Sequence, residues 1–134
     1  MVPWTQRSRR FQAPRFLAEF DKIADKDKAV TPENQLVVGI VGWTHAVSGR
    51  RLDALKAAKR LEDLSSHTYI DLYFPAAIYA GLTNKDEAFR LLQKGYEQHS
   101  AGILYLGIDP FWDGMRSDPR YSDLMRRIGL PQPE

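Results

Sequence analysis

The sequence predicts an all-α fold, and three observations carry that prediction. Two stretches repeat one another 34 residues apart: Ala46 falls on Ala80, Asp53 on Glu87, Ala54 on Ala88, Leu55 on Phe89, Lys56 on Arg90 and Arg60 on Lys94. That is the period of a stacked helix pair. Apolar residues recur at three- and four-residue spacing through both stretches, the pattern of helices with one buried stripe. Helix-start chemistry also stands where it is needed, in Thr31-Pro32-Glu33, in Thr83 with Asp86, in Asp109-Pro110 and in Asp118-Pro119. Each unit sets a side chain that accepts first-turn N–H groups beside a residue suited to that turn.

The elements follow in chain order. Residues 1–14 have neither helical nor strand period and read as a basic arm; a short helix over about Arg15–Ala24 follows, with Phe16, Leu17 and Phe20 as its apolar face. After the Thr31-Pro32-Glu33 start, Leu36, Ile40, Trp43 and Val47 mark the first strong helix, and Val37 and Val41 widen its face. Six β-branched residues lower its intrinsic propensity, so packing must hold it helical. Strand is the rival reading, rejected because the apolar run lacks clean alternation and its downstream copy reads as helix. Ser48-Gly49 supply the turn. A second helix over about Arg51–Leu64 should turn Leu52, Leu55, Ala58 and Leu61 inward and Lys56, Lys59 and Arg60 outward.

A third helix is expected over about Asp71–Ala80, with Asp71 as its cap and Pro75 near enough to the start to be tolerated with a bend. The fourth begins at the Thr83/Asp86 reciprocal cap and buries Ala88, Leu91, Leu92 and Tyr96. Ile103–Ile108 reads either as a short helix or as an extended apolar segment. Short helices near Pro110–Met115 and Pro119–Ile128 follow, and Gly129, Leu130 and Pro131 end the last one.

Composition bounds the chemistry. A chain of 134 residues is one domain by length and buries roughly two-thirds of its unfolded surface. With no cysteine there are no disulfides, thiolate metal sites or cysteine nucleophiles. The 19 basic and 17 acidic residues leave a net charge of +2, too balanced to imply a polyanion partner by itself. Neither a signal-peptide segment nor a run of transmembrane length is present, so the expectation is a soluble, cytoplasmic protein with no membrane partner.

On these residues the pattern resembles the tetratricopeptide repeat (TPR) family. Gly42, His45 and Ala54 in the first unit, and Ala76, Tyr79 and Ala88 in the second, fall where that family has a small residue, an aromatic and a second small residue. The sequence departs from the family at Val38 and Leu72, which take the usual tryptophan place, and at Ser66 and Ser100, which replace the closing proline. Ile78–Phe89 resembles the last repeat of bacterial multidomain regulators. The tail Ile108-Asp109-Pro110-Phe111-Trp112-Asp113, with Arg116–Tyr121, resembles the cap that follows it. The resemblance implies a TPR-like α–α superhelix of about two to two and a half antiparallel helix pairs. Its repeats would be 35–68 and 69–102 and its capping helices 103–130, within one domain over 15–134.

What the resemblance implies about function is docking. The first helix of each pair would line a concave groove, which places Leu36, Gly39, Trp43 and Val47 beside Tyr73, Phe74 and Ala77. A groove of this kind takes a peptide or a protein through side-chain anchors. Trp43 and Tyr73 are the expected anchors, with a core position for Trp43 as the open alternative. The expected partner is a protein, a peptide or a second copy of the chain, as a homodimer that would cover the apolar face of the lone Arg15–Ala24 helix. A nucleic-acid accessory domain is the second reading, resting on Arg7, Arg9, Arg10 and Arg15 interleaved with Trp4 and Phe11.

Other constellations have simpler structural accounts. His45, His67 and His99 lie more than twenty residues apart without the acidic spacing of a helical zinc motif, and His45 suits a packing position. Gly39 and Gly42 precede no phosphate-loop lysine and suit close helix packing. Asp109, Asp113, Asp118 and Asp123 suit caps and solvated faces better than acid–base pairs, and Arg50, Arg51, Lys56, Lys59 and Arg60 suit an exposed helix face. No nucleophile, base and metal set converges, so no catalytic residue, metal site or cofactor is expected and the chain reads as a non-catalytic protein.

Overall fold

The computed structural model describes residues 35–129. Over that range the chain forms α1 (Gln35–Val47), α2 (Arg51–Ser65), α3 (Tyr73–Gly81), α4 (Lys85–Glu97) and α5 (Pro119–Ile128), with 3₁₀ helices at Ala101–Tyr105 and Pro110–Met115. No strand occurs among the described residues, so the all-α expectation holds there. The basic arm, Arg7, Arg9, Arg10 and Arg15, the Arg15–Ala24 helix, the Thr31-Pro32-Glu33 start and the Leu130-Pro131 stop lie outside the described residues.

The repeat seen in the sequence extends to the backbone. At the end of α1, Ser48, Gly49 and Arg50 donate their N–H groups to the carbonyls of Thr44, Ala46 and His45. At the end of α3, Leu82, Thr83 and Asn84 donate to Ile78, Ala80 and Tyr79, every donor and acceptor displaced by 34 residues. These turns are three residues long, so α1 and α2 form one antiparallel pair and α3 and α4 another. Helix α3 packs on α1 and α2 as well as on α4, which stacks the pairs. The period persists downstream, since α2, α4 and α5 start at Arg51, Lys85 and Pro119. Buried Val38, Leu72 and Leu106 keep the same register. The segment after Ser100 therefore continues the repeat, with its leading helix reduced to two 3₁₀ pieces.

Small residues set how closely the helices approach. A Cβ on Gly42 would meet Ile78 Cδ1 at 2.4 Å and Ala57 Cβ at 3.0 Å, so α1 lies tight on both α3 and α2. Ala54, Ala58 and Leu61 are the fully buried stripe of α2. This corrects the expected inward place of Leu52, which is 76% exposed. Two residues along a helix turn a side chain to nearly the opposite face, and the tight α1 and α3 contacts select the alanine stripe.

Three further expectations change in detail. Helix α3 begins at Tyr73, not Asp71, which places Pro75 in the first turn where an absent N–H costs no intrahelical bond. The α4 cap is Asn84, whose side chain accepts from the Glu87 N–H at 3.4 Å. Thr83 is instead the left-handed residue that ends α3, and its hydroxyl donates to the Leu82 carbonyl. The open choice at Ile103–Ile108 resolves as a 3₁₀ helix over Ala101–Tyr105. At α5 the signals hold, with Asp118 accepting from the Arg120 N–H at 2.9 Å ahead of Pro119 and Gly129 ending the helix at φ 85°.

Thr83 sits at φ 63°, where the equivalent residue of the first pair is Gly49 at φ 86°. Left-handed backbone costs an L-residue about 1–2 kcal/mol, of which glycine's extra unfolded entropy returns about 0.5–1 kcal/mol. Thr83→Gly should therefore raise stability by about 0.5–1 kcal/mol in chemical denaturation. Gly49→Ala should lower it by about 1 kcal/mol, since a Cβ there meets nothing within 4 Å and backbone strain alone acts. A destabilised Thr83→Gly would mean that its hydroxyl bond outweighs the strain.

Candidate functional site

A buried polar seam joins the leading ends of the three units. Gln35 Oε1 at the start of α1 accepts the Asp71 N–H at 2.7 Å. The Asp71 carboxylate, ahead of α3, accepts the Tyr73 N–H at 3.0 Å and the Gly102 N–H at 2.8 Å, and the Ser100 hydroxyl as a third donor. A second polar knot lies beside it, where Tyr73 donates its hydroxyl to Asp109 and accepts from Trp112 Nε1–H at 3.0 Å. Asp109, expected as a cap, makes no side-chain cap bond and serves this knot instead. Burial and the bond to Asp109 push the Tyr73 phenol well above its ordinary value. It stays a neutral donor that holds the C-terminal segment on α3.

Large apolar side chains stand exposed in the segments that carry the seam. Six large hydrophobic side chains stand exposed among the described residues, and five of them are Leu36, Tyr69, Leu104, Tyr105 and Ile108, at 50–75% exposure. Each lies within a few residues of the Gln35–Asp71–Gly102 bonds or of Asp109. The sixth, Leu52, is on α2. Burial, with a contribution from the charge of Asp71, raises the Tyr69 phenol as well. Ile108 is held in place from below: Arg116 donates to the carbonyls on either side of it, Gly107 at 3.3 Å and Asp109 at 3.1 Å. Arg116 in turn is fixed by the buried Tyr121 hydroxyl at 2.8 Å and by Asp113.

The segments that carry these side chains are almost free of charge. No Asp, Glu, Lys or Arg occurs at 35–49 or 98–108, and only Asp71 occurs at 64–84. The charged residues gather instead on α2, α4 and the Asp109–Arg127 segment. There they pair with one another, as Arg90 does with Glu62 and Glu87 and Arg120 with Asp86 and Asp118. The leading segments of the first two units are thus nearly free of charge, whereas that of the third is followed by Asp109, Asp113 and Arg116.

The expected groove residues divide between core and surface. Trp43 and Tyr73, expected as anchors, are core at 6% and 3% exposure. The chain's own Pro110–Met115 segment covers them: Phe111 meets the Trp43 ring edge to face at 5.0 Å, and Trp112 meets Tyr73 at 5.2 Å. Gly39, Val47 and Ala77 are buried, Gly39 directly beneath Phe74. Leu36 and the half-buried Phe74 remain at the surface. Tyr69, Leu104, Tyr105 and Ile108 were not among the expected residues. The one sequence signal for the last three is the absence of any charge at 98–108; the repeat register gives none, since it aligns the exposed Leu36 and Leu104 with Ile70, which is buried.

Among the described residues no group of three His, Asp or Glu side chains is placed to hold a metal ion, and no helix is long and apolar enough to cross a membrane. Neither a known family model, nor a curated protein, nor a solved structure matches the chain.

Proposed function

We propose that this chain is a non-catalytic docking module of the TPR-like kind, and that it engages another protein through the neutral surface around the Gln35–Asp71–Gly102 seam. The observation that carries this reading is that five of the six large exposed hydrophobic side chains among the described residues fall in segments almost free of charge, with Leu104, Tyr105 and Ile108 close together in the chain. Contiguous exposed apolar patches mark interaction sites. Their support is rigid, since the seam and Arg116 fix the backbone that presents them, which lowers the ordering cost of binding. Lys and Arg are absent from 35–49, 64–84 and 98–108, which favours a protein over a polyanion partner.

Partner capture from a homologous lysate tests the reading, with wild type set against Leu104→Lys, Ile108→Lys and Leu52→Lys. All three positions are highly exposed, so stability should change by no more than about 0.5 kcal/mol, checked by circular dichroism and thermal melting. A partner retained by Leu52→Lys and lost with the other two supports the surface. Equal capture by all four folded proteins would remove it.

A further inference from the structure

We infer that the start of α2 is a further docking surface, which takes an acidic protein segment carrying an apolar side chain between its carboxylates. It does not depend on the seam surface above. Residues 50–60 hold five basic side chains, Arg50, Arg51, Lys56, Lys59 and Arg60, against the single acid Asp53. Arg50, Arg51, Lys56 and Lys59 are exposed. Farther along the chain the arginines are neutralised within the fold: Arg90, Arg116, Arg120, Arg126 and Arg127 each meet a carboxylate at 2.8–3.7 Å. Among the described residues none of Arg50, Arg51, Lys56 and Lys59 has such a partner, and their side chains make one bond, from Arg51 to the Leu82 carbonyl at 3.4 Å.

The repeat register shows what this arrangement gives up. The cap position is Asn84 in the second unit and Asp118 in the third, and each side chain accepts a first-turn N–H. In the first unit it is Arg50, which makes no side-chain cap bond. Helix α4 carries Asp86 and Glu87 in its first turn, and Asp86 pairs with Arg120; Leu52 stands at the place of Asp86. Two arginines therefore sit at the positive end of the α2 dipole, where cations are unfavourable, beside N–H groups without a side-chain cap. A local rule broken at one unit and kept at the other two is the mark of a functional position. A carboxylate brought by a partner relieves both conflicts.

The outward side chains set the chemistry of that partner. Ala54, Ala58 and Leu61 form the buried stripe of α2, and Leu52, Lys56 and Lys59 recur at i, i+4 and i+7 on the opposite side, with Asp63 ending the line one turn further. Leu52, 76% exposed, thus lies in line with two ammonium groups. A phosphate backbone has no use for that leucine, and α2 offers no aromatic ring on which a base could stack. An acidic segment with an apolar side chain matches both the cations and the leucine.

Fluorescence anisotropy of the full chain with a labelled peptide of aspartates around one central leucine, at low and high sodium chloride, tests the proposal. A leucine-free peptide of equal charge and a DNA duplex are the competing probes, and circular dichroism checks the fold of each variant. The expected result is binding at low salt that high salt weakens, that exceeds binding of the leucine-free peptide, and that Lys56→Gln with Lys59→Gln reduces by roughly tenfold or more. Lys94→Gln, at an exposed lysine of α4, should leave it unchanged. Arg50→Asn with Leu52→Asp restores the residues of the second unit. That pair should raise the melting temperature by about 3–5 °C while weakening the peptide by roughly tenfold. No peptide binding at low salt, binding indifferent to these α2 variants, or no gain in melting temperature overturns the proposal. Equal affinity for the leucine-free peptide also overturns it, as does tighter binding of the duplex through the same lysines, which would assign the surface to nucleic acid.

Discussion

Trp112→Ala will cost about 3–5 kcal/mol of folding stability, the largest loss expected from a single substitution. The indole is fully buried, so its removal leaves a cavity lined by Tyr73 and Phe111 on which the C-terminal segment rests. It also removes the Nε1–H donor to the Tyr73 hydroxyl, whose own proton goes to Asp109. The loss takes a large part of the about 5–15 kcal/mol that holds a domain folded. Trp112→Phe should cost less, because the ring keeps most of the packing and only the hydrogen bond, about 1 kcal/mol, disappears. Urea denaturation of the two variants separates the contributions. Equal losses would mean that the hydrogen bond, and not packing, fixes the segment.

Asp71→Ala should cost about 3 kcal/mol, since two backbone N–H groups and the Ser100 hydroxyl lose a charged acceptor in a buried setting. Asp71→Asn is an informative partner. An amide keeps one acceptor oxygen for Tyr73 N–H and Ser100, but turns an N–H₂ donor toward the Gly102 N–H, so it should recover only part of the loss. Ser100→Ala combined with Asp71→Ala should cost less than the two single losses added, because both remove one shared bond. Strict additivity would place the Asp71 effect elsewhere. Since the carboxylate ties the start of α3 to Gly102, the same variants should loosen Leu104 and Tyr105 and weaken docking.

Much of this fold was legible in the sequence because repeats state the same physics more than once. The Ala54/Ala88 echo marks the stripe on which α2 and α4 lie, and Asp118-Pro119 with Gly129 bounds α5 by local cap chemistry. What local signals lacked was the identity of the covering neighbour. Periodicity marks Trp43 and Tyr73 as apolar, yet their burial comes from Phe111 and Trp112, nearly forty to seventy residues away. For the same reason Leu104 and Ile108 are exposed where Trp43 and Tyr73 are not. A 3₁₀ segment carries no 3.6-residue stripe, so its exposed side chains gave no helical signature. Leu52 shows the converse error, in which residue type outweighed the tight helix approach that selects Ala54.

Backbone hydrogen exchange of wild type against Asp71→Ala tests most directly the claim that one buried carboxylate joins the leading ends of the units. Protection should fall most at Tyr73 and Gly102, whose N–H groups the carboxylate accepts, while the amides of α2 near Leu52 change least. Unchanged protection at Tyr73 and Gly102 would contradict the account.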